Sequence, residues 1–159
     1  MAKETTTRGV YPSNEAYTIE EYEGFGWQVE SSQLTVNNAG ETIVRLVFSR
    51  DKDMKNYSEL RWKFDLYMEK EEEMKAIARQ QDQMGEEPTK LQFNIITAIM
   101  SFIFGGVGFI FYIIAFSLKN KRIKREIAEY RKTYNLLQKK FENLDNECEQ
   151  LLVEAKTLL

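Results

Sequence analysis

From Ile123 onward the apolar positions of the chain keep one unbroken rhythm. They fall at Ile127, Tyr130, Tyr134, Leu137, Phe141, Leu144, Cys148, Leu151, Ala155 and Leu158, with gaps alternating between four and three. No Gly or Pro interrupts the run, so the spacing predicts a long helix carrying a heptad seam. Leu-rich d positions (Leu137, Leu144, Leu151, Leu158) suit a parallel two-stranded coil. The expected partner is therefore a second copy of the chain, with Cys148 facing its symmetry mate. A looser 3–4 spacing of apolar residues runs from Tyr57 to Met84 through Leu60, Phe64, Tyr67 and Met74, interrupted by Glu71 and Gln81. It predicts an amphipathic helix over 57–84, and an intrachain helical hairpin with the C-terminal helix is the alternative to the homodimer. Gly85 and Pro88 punctuate a linker over 85–90.

Between these two helices the pattern changes. The 28 residues of 91–118 contain no Asp, Glu, Lys or Arg, and 95–116 are strongly apolar. A helix of 22 residues is about 33 Å long, the thickness of a bilayer's hydrocarbon core. The expectation is a membrane segment marked by Ile95, Ile99, Phe102, Gly105, Gly106, Gly108, Phe109, Ile113 and Phe116. A single span is favoured over a re-entrant hairpin turning at the three glycines. The two forms differ in consequence: one span would put helix 57–84 and the C-terminal helix on opposite sides, where they could not meet.

The amino-terminal part is shorter-ranged in its signals. Residues 1–16 are polar, give no apolar stretch of secretory type, and read as a flexible tail. Thr18-Ile19-Glu20-Glu21 resembles a capping box opening a short helix that Gly24 or Gly26 closes. Residues 27–36 and 42–50 are β-rich and flank the loop 37–41, which predicts a hairpin. A hairpin alone is marginal, so the helix after Tyr57 is expected to cover it with Leu60, Trp62 and Phe64, and both Trp27 and Trp62 are expected in the core. The fold class is thus an α+β head over 17–56 and the following helix, then a membrane segment, then a basic flank and coiled coil over 119–159.

Charge sharpens the topology. Residues 1–94 hold 12 Lys/Arg against 18 Asp/Glu, whereas 119–159 hold ten against seven. Lys119, Lys121, Arg122, Lys124 and Arg125 open the second group directly behind the apolar segment. By the positive-inside rule they place the C-terminal side in the cytoplasm of a cell-membrane protein, with membrane lipid as a partner and nucleic acid not expected.

Composition removes most catalytic chemistry. The 159 residues include no His and one Cys, so imidazole acid–base work, His-ligated zinc, CxxC redox motifs and intramolecular disulfides are excluded. The glycines of FGGVGF lack the Lys-Ser/Thr of a phosphate loop. Asp51, Asp53 and Glu59 match a calcium loop only in part, and capping of the next helix by Asp53 or Asn56 explains them better. Glu69, Glu71, Glu72 and Glu73 read as a solvated helix face. No catalytic residue, metal site or cofactor is expected.

The run GFGWQVESSQ, then FSRDKDMKNYSELRWKFDLYMEKE, the glycine-centred apolar segment and the Lys/Arg-rich helix together resemble a group of small bacterial membrane proteins of unknown function, chiefly Gram-positive. The WQVES stretch is also similar to helix–strand–strand modules of several domains of unknown function. The resemblance implies a membrane-anchored domain and carries no site residues. The function expected from all these features is an interaction or scaffold protein that self-associates through the coil and presents its head to a protein partner. The alternatives are a holin-like or pore-forming membrane-active protein and a ligand-sensing head that signals through the coil.

Overall fold

The computed structural model describes residues 2–89 and 107–159, with the side chains of 107–109 and 111 excepted. The fold is α+β, and the described residues form two compact units: Met1–Lys75 with Asn143–Leu159, and Ala76–Glu142. The elements in chain order are β1 (Lys3–Val10), a 3-10 turn (Pro12–Asn14), α1 (Glu15–Glu23), β2 (Gln28–Val36), β3 (Thr42–Asp51), α2 (Tyr57–Gln83) and α3 (Val107–Lys156).

In the first unit, β1, β3 and β2 form an antiparallel sheet in that order, so β3 is central. Its alternating inner positions Val44, Leu46, Phe48 and Arg50 are all buried. The β2–β3 loop is set by Asn37, whose Oδ1 accepts from the backbone N–H of Ala39 and of Glu41, each at 2.9 Å. Gly40 supplies the left-handed φ of +81° that this loop needs. A register shift at Glu30 moves β2 relative to β3.

Residues 3–10, expected as flexible tail, are instead β1. Their pattern hides the strand because two of its half-buried inner positions are charged. Arg50 is fully buried, and its guanidinium meets Glu4 of β1 at 2.9 Å and the Phe25 carbonyl at 3.2 Å. Tyr57 donates its hydroxyl to the same Glu4 carboxylate at 3.0 Å, and the guanidinium lies 4.4 Å from the Trp27 ring centroid. Arg50 Nε and Trp27 Nε1 are buried without a hydrogen-bond partner among the described residues. Arg8, the other inner charge of β1, pairs with Glu71.

The helix expected from Thr18 starts earlier, at Glu15, and buries Thr18 within it. The 3-10 turn opened by Pro12 leads directly into α1, so the capping-box reading does not hold. Asn56, expected to cap α2 with its side chain, sits at φ +60° and accepts from Leu60 N through its own carbonyl, at 3.0 Å. Its side-chain amide reaches the Leu158 carbonyl at 2.8 Å instead. Trp27 is in the core, but Trp62 is 60% exposed. Leu60, Phe64 and Tyr67 follow the 3.6-residue period inward, and residue 62, about 200° around the helix from Leu60, faces out.

The core of this unit joins the sheet, α1, α2 and the end of α3. Tyr22 stacks on Phe48 with centroids 4.2 Å apart, and Phe25, Trp27 and Phe64 meet at 5.3–5.4 Å. Cys148, Leu151 and Ala155 complete the same buried cluster. Lys63–Glu154 and Lys70–Glu147 ion pairs fix α2 and α3 antiparallel here. In the second unit, Gln81 pairs with Gln138, Tyr130 donates to the Gly85 carbonyl at 2.9 Å, and Arg131 meets Glu87 at 2.6 Å. Ile77 and Ile127 are buried there.

Three expectations are corrected by this arrangement. First, the heptad stripe supplies the buried face of α3 inside the chain, and a coiled coil is not shown. Leu144, Cys148, Leu151 and Ala155 are buried within the chain itself, while Ile123, Tyr130, Leu137, Phe141 and Leu158 are half-buried and Tyr134 is exposed. Cys148 packs into the core of its own chain. Second, no helix among the described residues is long and apolar enough to cross a membrane. The apolar start of α3, 107–118, spans only about 18 Å before the charged run from Lys119. Ile113 is exposed and Phe116 half-buried there, and Gly108 and Phe109 lie in the same helix, whereas Ile95, Ile99, Phe102, Gly105 and Gly106 fall outside the described residues. The membrane helix, the cell-membrane location and the cytoplasmic C-terminal side inferred from it are not supported. Third, α2 and α3 pair directly, which rules out the favoured single span. The basic residues Lys119, Lys121, Arg122, Lys124 and Arg125 are exposed on α3, with Arg122 paired to Glu126 at 2.9 Å.

Candidate functional site

The first unit encloses a cleft of about 670 Å³, within the size range of small-molecule sites. Its walls repeat one device, a single face of each helix. Asn14, Tyr17, Thr18, Glu21 and Tyr22 come from α1 and the turn before it; Tyr67, Glu71, Met74 and Lys75 come from α2; Asp145, Cys148, Glu149 and Leu152 come from α3. Each set steps by three, four and seven residues, which brings its members onto one side of the helix. The end of β1 and the residue after it, Arg8 to Tyr11, close the remaining side.

Glu21 is half-buried in the cleft. It accepts the Tyr67 hydroxyl. Burial lifts its pKa above the ordinary carboxylate range, outweighing the opposing bonds from Tyr67 and Tyr17. The same environment pushes the Tyr67 phenol upward, through burial and then through Glu21. Partial burial, followed by the charges of Glu21, Asp145 and Glu149, raises the Tyr17 phenol to about 12. Burial holds the Cys148 thiol at about 11; Lys70 opposes, and Asp145, Glu71 and Glu21 add to the rise.

One polar group of the cleft, Glu71, is also a residue that breaks the apolar stripe in the sequence. Glu71 interrupts the buried face of α2 because it receives Arg8 and, at 2.9 Å, Lys75. It is half-buried, not a member of the solvated face formed by Glu69, Glu72 and Glu73. Gln81, the second interruption, lies in the second unit, bonded to Gln138. Of the seam, membrane and basic-flank residues expected from the sequence, only Cys148 lines the cleft; Thr18, Glu21, Tyr67, Glu71 and Met74, expected as capping or helix-face residues, line it as well. The signal that would have found the rest is the recurrence of Tyr and Glu four apart, Tyr17–Glu21 and Tyr67–Glu71, on two amphipathic helices.

Chemically, the arrangement offers hydrogen-bond acceptors and aromatic faces. Among the described residues no three metal-ligating side chains converge, and the acidic junction 51–59 holds no such group. There the Asp51 carboxylate accepts from Asp53 N–H at 2.9 Å. A thiol held at about 11 is protonated at neutral pH and is not an activated nucleophile. In comparisons with known proteins, no family model, no curated protein and no solved structure matches this chain.

Proposed function

We propose that the protein is a ligand-sensing module, with binding and not catalysis as the role of its head. The observation that carries this reading is the cleft itself: a concave site bearing four tyrosines and the half-buried Glu21. Its walls come from β1, α1, α2 and α3, segments far apart in the chain. A molecule bridging them would hold the C-terminal end of α3 against α2, so occupancy and helix pairing are linked by mass action. That is how a binding event in the head would reach the helices.

The test is thermal denaturation of the full chain against a panel of charged, neutral and aromatic metabolites. A ligand at 100 times its dissociation constant should add about 2.7 kcal/mol of stability. The reading expects a shift that Glu21→Gln or Tyr17→Ala reduces. A panel without any shift, or a shift that both variants retain in full, would remove it.

A second reading, presentation of the head to a protein partner, is favoured by Trp62, exposed on α2. Aromatic side chains of this kind often anchor interfaces. Trp62→Ala should then weaken association with a partner that copurifies with the wild-type chain, and undiminished association would exclude it.

A further inference from the structure

The charge of the head cleft is one-sided. Its two cations, Arg8 and Lys75, are both engaged by Glu71. Asp145 and Glu149, one turn apart on α3, line the cleft and form no ion pair among the described residues. Tyr17 lines the same cleft and is 66% exposed. Burial is the first cause that raises the Tyr17 phenol and the Cys148 thiol, and the charge of Asp145 adds to both.

Resting on the ligand-sensing reading of this cleft, we propose that it takes an organic cation of the primary-amine class, its ammonium held between the Asp145 and Glu149 carboxylates and the face of Tyr17. The carboxylates have acceptor capacity that no cation among the described residues fills, and an ammonium brings N–H donors to them. The ring supplies the quadrupole that attracts a cation at its face. An anionic ligand would instead have to displace Glu71 from both Arg8 and Lys75. A bare divalent ion is disfavoured because no three ligating side chains converge among the described residues.

Isothermal titration of the full chain with 1,4-diaminobutane, 1,4-butanediol and succinate, matched in length, separates the outcomes. The proposal expects the diamine to bind one-to-one at about 1 mM or tighter, with the other two far weaker. Asp145→Asn with Glu149→Gln, both at exposed positions, should weaken diamine binding about three- to tenfold and leave the melting temperature of the free protein unchanged. Raising the salt concentration should weaken it further. Binding of the diol or of succinate as tightly as the diamine would overturn the cation assignment while leaving the cleft a ligand site. Diamine binding unaffected by the double substitution would place the amine elsewhere and overturn the proposal. If none of the three binds, the assignment fails, and the panel above then decides whether the cleft binds anything.

Discussion

Ala155→Leu separates an intrachain core from a coil between chains by the sign of its effect. Ala155 is fully buried in the cluster that also contains Phe25, Leu60 and Leu151. Leucine adds three carbons to a site with no exposed surface, and overpacking of this kind costs about 1–3 kcal/mol. For a chain of this size that corresponds to a fall of roughly 3–10 °C in melting temperature. If Ala155 were instead an a position of a parallel dimer, the added methylenes would fill the seam. They would then stabilise by about 2 kcal/mol, and the melting temperature would rise with protein concentration. Circular dichroism melts of wild type and variant at two concentrations a hundredfold apart read both signs. Val153→Ala, exposed on the same stretch of α3, is the control and should change stability by less than about 0.5 kcal/mol. A stabilised Ala155→Leu protein would refute the packing argument.

Three further outcomes follow from particular contacts. Glu4→Ala should cost about 3–5 kcal/mol by leaving the buried Arg50 uncompensated, whereas Arg50→Met should cost clearly less; equal losses in urea melts would argue against it. Burial pushes the Glu4 pKa up, but its bonds from Arg50 and Tyr57 prevail and hold it below the usual value. Its stabilising contribution is therefore complete above about pH 4.5 and is lost as pH falls through the lowered value, a slope that Glu4→Gln should flatten. Gly24→Ala places a Cβ 2.5 Å from Leu152 Cδ1 and 3.2 Å from the Glu21 carbonyl at a φ of −61°, so the backbone dihedral permits alanine and the seating of α3 is its main opponent. Leu152→Ala should relieve most of that cost in a double-mutant cycle, and strict additivity would contradict the contact. Cys148, with its thiol at about 11, should be roughly a thousandth ionised at pH 8. Its labelling by a disulfide reagent should run at least about a hundredfold slower than in denaturant, and equal rates would show the site open.

Periodicity located α2, α3 and the β2–β3 hairpin because each buries one regular face. It also identified the stripe of α3 that is buried. What periodicity lacked was the partner: a seam of strict 4,3 spacing reads the same against a second copy as against a sheet and a neighbouring helix. The hidden strand shows a second limit. β1 (KETTTRGV) offers Val10 as its only aliphatic inner residue, and its inner charges make sense only beside Arg50 and Glu71, 46 and 63 residues away. Thr18 misled because a capping-box pattern describes one turn and cannot see the 3-10 turn leading into it. The cleft was out of reach for the same reason. Its residues gain their chemistry from three helical faces that the fold brings together, although Glu71, as a charge on an apolar stripe, already required a partner.

The central claim is that the chain closes its own head with the end of α3, and so builds the cleft. Zero-length carbodiimide cross-linking of an equal mixture of ¹⁵N-labelled and unlabelled protein tests it through the Lys70–Glu147 pair. The account predicts cross-linked peptides in which both halves are labelled or both unlabelled. Peptides joining a labelled to an unlabelled half, approaching half of the total, would show α3 exchanged between copies and would contradict it.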